Sequence, residues 1–264
     1  MWPFRPKLPI DQDELEFQLA TFKWLIAQFG PVGGRPLILP NPDFFPLTLS
    51  SVEAATSELF EQVRGHAGMT DWPCALEPGD SDHPLAGGEG IGLGLAVSGS
   101  APCGTFRIGD GPDGRHAIIT YNPGMARNRA ALAATFAHEF AHYLMATATD
   151  DPPGGWNLHE LHTDLTAVYM GFGVLLANAA RSFETFGTGR ATGWRSSLQG
   201  YLSEQALVSA TCIFQRLAGR EPAAAAPWLD VHLRGVLKKA DKALGAQAPD
   251  MAAAVAAIDL DDFA

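Results

Sequence analysis

Residues 130–149 read AALAATFAHEFAHYLMATAT, a run of small and apolar residues interrupted by His138, Glu139 and His142. A second weakly charged run follows at residues 165–180, shorter than the ~20 residues that a membrane span requires. Both runs read as helices buried in a protein core. The chain is therefore expected to be built around two internal helices, the first of which carries ionisable groups.

In the first run, His138 and His142 stand four residues apart and share one helix face. Each can offer an imidazole nitrogen to one zinc ion at roughly 2.0–2.1 Å. Glu139 is rotated by about 100° from His138, outside the ligand set but beside it. A carboxylate there can hold a water on the ion and take its proton, because zinc lowers that water's pKa towards ~7. HExxH alone is suggestive only, since a shuffled chain of this composition contains it about once in a hundred times. Without a third ligand, two ordinary helix histidines would account for it.

The third ligand is sought downstream. HELHTD, at residues 159–164, supplies Glu160 and Asp164 at i, i+4 on a second helix. Glu160 completes a His2Glu set, and Asp164 can accept the ring N–H of a ligating histidine and fix its tautomer. Other assignments stay open at this level. Asn157 and Glu160 also match a capping box, in which Glu160 would bond the N-cap amide. His159 and His162 are alternative third ligands, and so is Cys103 upstream.

With these residues the chain resembles the gluzincin metallopeptidases, the thermolysin-like group, whose pattern is HExxH followed on a second helix by ExxxD. The match lies at His138, Glu139, His142, Glu160 and Asp164, with Thr163 where thermolysin-type enzymes have serine. LHELHTDLTAVYMGFG also looks like a group of minimal zincin-like bacterial proteins. The resemblance covers roughly residues 117–180. It implies a zincin-like α+β fold, predominantly helical, with an active-site helix, a glutamate helix and a small sheet. It also implies one Zn2+ per chain, held by His138, His142 and Glu160, and hydrolysis of peptide or protein substrates with Glu139 as general base. In such peptidases the strand before the HExxH helix pairs with substrate backbone, which points to AIITYNP. A further donor stabilises the oxyanion, the candidates being His162, Tyr169, Tyr201 and His232. The alternatives are a zincin-fold metal-binding regulatory or interaction protein without peptidase activity, and a zinc hydrolase acting on other bonds.

The rest of the sequence limits partners and organisation. With 18 Lys+Arg against 29 Asp+Glu the formal net charge is -11, which argues against nucleic-acid and anionic-membrane surfaces. Three widely spaced cysteines and no apolar leader in MWPFRPKLPI suggest a reduced, cytoplasmic setting. Helices are expected over residues 11–30, 51–66, 127–146 and from 157 through about 180, then in the YLSEQALVSATCIFQRLAG and PWLDVHLRGVLKKADKAL runs. HAIITYNP, residues 116–123, reads as a strand ending in a turn. RPLILP and FFPLTLS read as strands or extended segments, EPAAAAP as a short linker, and residues 71–112 as the least regular part. That part includes the alternating Gly88, Gly90, Gly92 and Gly94 of a surface loop. Three regions are expected: 1–112, a metal-binding core over 113–190, and a helical region over 191–264 that forms one compact unit with the core. Gly171 and Gly173, read inside the second helix, suggest close approach to the alanine-rich HExxH helix.

Overall fold

The computed structural model describes residues 6–47, 51–79, 104–111, 114–186 and 201–263. These form an α+β structure dominated by helices, with a mixed three-stranded sheet at one side. In chain order the helices are α1 (Gln12–Phe29), α2 (Val52–His66), α3 (Arg129–Met145), α4 (His159–Tyr169), α5 (Gly173–Phe186), α6 (Glu204–Leu217), α7 (Val231–Gln247) and α8 (Met251–Ala256). The strands are β1 (Cys74–Pro78), β2 (Gly104–Gly111) and β3 (Gly114–Tyr121). Among the described residues, no helix is long and apolar enough to cross a membrane.

Helix α3 sits at the centre. Asn128 caps it by accepting from the Ala131 amide at 3.2 Å, satisfying one of the orphan N–H groups of the first turn. From Ala131 to Ala141 every residue is buried, as expected of a helix that is apolar all round. Its alanines keep it thin enough to be packed by α2, α4, α5 and β2 together. Phe136 and Phe140 fill the gap to α2, with ring centroids 5.3 and 5.2 Å from Phe60. The buried apolar cluster extends from there through Phe22 of α1, Phe214 of α6 and Leu244 of α7.

Two expectations need correcting in the second half of the core. The helix read as continuous from residue 157 is two helices, α4 and α5, preceded by a 3-10 turn at Trp156–Leu158. Gly171 breaks it with φ +103, a conformation that side chains other than glycine's rarely adopt. A Cβ on Gly171 would strike the Pro36 carbonyl, and one on Gly173 would strike the Thr211 hydroxyl of α6. The close approaches these glycines allow are thus to the 35–38 segment and to α6, not to α3. RPLILP is neither strand nor helix. It docks on this break, where the Ile38 amide donates to the Gly171 carbonyl at 2.9 Å.

The sheet also departs from expectation. Residues 71–112, read as irregular, supply both β1 and β2. The strand order is β1-β3-β2, with β1 parallel and β2 antiparallel to β3. The expected strand, β3, is therefore central, and both its edges are used. AIITYNP cannot add a substrate strand, and among the described residues β2 pairs only with β3. The C-terminal helices lie close to their expected positions. EPAAAAP is more than a linker, forming a 3-10 stretch over Pro222–Trp228 with Pro222 and Ala225 buried. The glycine alternation at 88–94 lies outside the described residues.

Candidate metal centre

Helices α3 and α4 pack side by side, and the i, i+4 spacing on each turns its polar residues towards the other. His138, His142 and Glu160 come together so that one ligand atom from each lies within 4.8 Å of the others, a group that can hold a metal ion. Glu160 Oε2 is 3.1 Å from His138 Nε2 and 3.6 Å from His142 Nε2. Both imidazoles thus present the same ring nitrogen to one carboxylate oxygen. Glu160 Oε1 turns to His159 Nε2 at 3.1 Å, and His159 Nδ1 lies 3.1 Å from the Trp156 carbonyl. His159 is therefore a neighbour of Glu160, outside the three-residue group.

The capping-box alternative for Glu160 is not adopted. The residue at the N-cap of α4 is Leu158, which makes no side-chain cap bond. The Glu160 carboxylate faces three histidines instead.

Asp164 is buried and takes the position expected of it. Its Oδ1 accepts from His138 Nδ1 at 2.9 Å, and its Oδ2 accepts from the Leu202 amide at 2.7 Å. A carboxylate can only accept at neutral pH, so His138 carries its proton on Nδ1 and turns Nε2 towards the cluster. The Leu202 bond was not visible in the sequence, and it joins the segment before α6 to the cluster.

Electrostatics match this geometry. Burial disfavours charge on His138, but hydrogen bonds to Asp164 and Glu160 outweigh it and hold its imidazole well above the usual range. Burial would raise the Glu160 carboxyl, yet the nearby His142 imidazole, followed by the hydrogen bond from His138 and that from His159, keeps it well below the usual carboxylate range. A metal ion binding here would displace the proton between His138 Nε2 and Glu160, so its uptake would be proton-linked.

Glu139 stands beside the cluster, buried on α3. Burial raises its carboxyl pKa, opposed by His142 and His138. Strand β2 closes over it: a Cβ at Gly104 would lie 3.0 Å from Glu139 Oε1 and 2.7 Å from Thr135 Cγ2. Two residues on, on the same face of β2, the Phe106 ring lies 6.4 Å from His142, nearly parallel, and 5.5 Å from Tyr143. Glycine at 104 is what lets the strand pass this close to the carboxylate.

Of the four residues considered for oxyanion stabilisation, only Tyr201 is shown beside the cluster, its ring centroid 5.1 Å from that of His138. Tyr169 donates its hydroxyl to the Gly30 carbonyl at 2.7 Å and is covered by Arg35. His232 pairs with Glu204 at 2.9 Å, joining α7 to α6. His162 is fully buried, with Nε2 2.9 Å from the Pro153 carbonyl and Nδ1 3.2 Å from the Thr21 hydroxyl. Cys103 lies outside the described residues.

His162 carries a prediction of its own. Burial pushes its imidazole from the ordinary 6.5 down to about 3. Between these values the unfolded chain binds a proton that the folded chain does not. Its neutral form therefore stabilises the fold above pH 6.5, and that stability is lost as the pH falls towards 3. The full effect is on the order of 5 kcal/mol. Urea unfolding between pH 7 and pH 4 should show a shallower loss of stability in His162→Gln than in the unmodified chain. Equal slopes would contradict the assignment.

No protein-family model, curated protein or solved structure matches this chain. The site is therefore read from its own chemistry.

Proposed function

We propose that the chain is a zinc-dependent metallopeptidase in which His138, His142 and Glu160 hold one Zn2+ and Glu139 is the general base. The observation that carries this reading is the convergence of two imidazole Nε2 atoms and the Glu160 carboxylate on one point, with the buried carboxylate of Glu139 on the helix that carries both histidines. Two imidazoles and one carboxylate suit zinc, and three protein ligands leave a coordination position for water or substrate. A bound zinc ion would supply Lewis acidity, polarising a carbonyl oxygen and lowering the pKa of a coordinated water towards ~7.

The chain's own residues supply the rest. Glu139 takes the proton of the attacking water and returns it to the leaving amine. Its buried position raises its proton affinity towards the range such a relay needs. Asp164 keeps His138 in the tautomer that ligates. Strand β2, running beside Glu139 and His142, offers an extended peptide a backbone partner. Tyr201, against His138, is the residue best situated to donate to a developing oxyanion.

The test is incubation of the metal-loaded protein with a broad peptide library, read by mass spectrometry. Cleavage that a chelator abolishes and added zinc restores supports the proposal. Stoichiometric zinc without any cleavage would favour a metal-binding regulatory or interaction protein instead.

A further inference from the structure

Thr163 lies one residue before Asp164 on α4 and is fully buried. Its hydroxyl oxygen stands 2.7 Å from the His159 carbonyl and 3.2 Å from Nδ1 of His142, with the Met145 sulfur at 3.5 Å. A hydroxyl has one proton to give and two lone pairs with which to accept. The carbonyl can only accept, and the contact to it is the shortest of the three, so the proton goes there. The contact with His142 is then a hydrogen bond only if Nδ1 carries the hydrogen and donates it to the Thr163 oxygen.

We infer that Thr163 is a positioning residue that fixes the tautomer and ring orientation of His142. It does for His142 what Asp164 does for His138. With the proton on Nδ1, the lone pair of His142 sits on Nε2, the nitrogen that faces Glu160. Helix α4 thus contributes one carboxylate to the cluster and, three and four residues further on, the acceptor that holds each of the two imidazoles. The two acceptors differ in charge. Asp164 offers an anion, which makes its imidazole the more electron-rich partner, whereas Thr163 offers a neutral oxygen whose own proton is committed to the helix backbone. Because Thr163 is sealed from solvent, water cannot replace its hydroxyl when it is removed.

This inference rests on His142 being a metal ligand, and the experiment separates the two claims. The tautomer of His142 is read in the metal-free protein at alkaline pH by long-range 1H–15N correlation of its ring. The expected pattern is Nδ1–H in the unmodified chain and in Thr163→Ser, and a shift towards Nε2–H in Thr163→Val, which keeps the volume but loses the hydroxyl. An Nε2–H tautomer in the unmodified chain, or an unchanged Nδ1–H tautomer in Thr163→Val, would overturn the inference. The first of these needs no variant to fold. Zinc competition against a chelating dye is the second readout, with affinity weakened about tenfold or more in Thr163→Val and recovered in Thr163→Ser. Equal weakening in both variants would mean a packing role and would also overturn it. Failure of the unmodified chain to bind zinc would remove the ligand reading, while the tautomer measurement would still decide whether Thr163 holds the ring.

Discussion

Replacing Glu160 with alanine should abolish the stoichiometric metal binding proposed above and leave the fold in place. The Glu160 side chain is 21% exposed and pairs with His138, His142 and His159. It is not part of the apolar core, so its removal opens no large cavity. What it removes is the anion of the three-residue group, leaving two imidazoles on one helix. Loss of a mere outer partner typically weakens metal binding 10–100-fold, and loss of a ligand should exceed the upper end of that range. Dialysed Glu160→Ala should therefore carry less than about a tenth of an equivalent of zinc, with helical circular dichroism close to that of the unmodified chain. Undiminished zinc would mean that Glu160 is not a ligand.

Glu139→Gln has the opposite signature. On the proposed mechanism, metal should be retained and turnover should collapse. Glutamine has nearly the size of glutamate and fits the buried position between α3 and β2, where Gly104 leaves room for one side chain only. It cannot take a proton from water at neutral pH. General acid–base groups contribute about 10²–10⁴-fold to rate, and the loss should fall in that range or beyond. Initial rates on whichever library peptide the unmodified protein cleaves, with zinc content measured on the same samples, make the comparison. Equal rates would exclude the general-base role. Loss of zinc would instead move Glu139 into the ligand set.

The parts of this molecule that were legible in the sequence are those in which spacing along one helix carries the information. His138 and His142, or Glu160 and Asp164, are i, i+4 pairs, and the periodicity of the surrounding apolar residues places each pair on a helix. Strand β3 showed itself through its branched residues. The less legible parts depend on contacts between distant segments. Strand β2 begins with a glycine that packs against Glu139, so the position facing the core carries no apolar side chain to announce it. The break at Gly171 is dictated by the Pro36 carbonyl, more than 130 residues away in sequence, and local propensity alone reads the run as one helix. Thr163 looked like a substitute for serine in a motif. Its contact with His142 exists only because α3 and α4 pack side by side. Likewise, nothing local distinguishes Tyr201 from His162, Tyr169 or His232. Only the packed structure sends those three to other partners.

The most direct measurement is zinc X-ray absorption on the unmodified protein loaded with one equivalent of metal. Two imidazoles with oxygen ligands at roughly 2.0–2.1 Å and no sulfur are expected for His138, His142 and Glu160. A sulfur scatterer near ~2.3 Å would require a cysteine ligand, and failure to retain the ion at all would remove the metal centre. Either result would contradict a catalytic zinc held by the HExxH helix and Glu160.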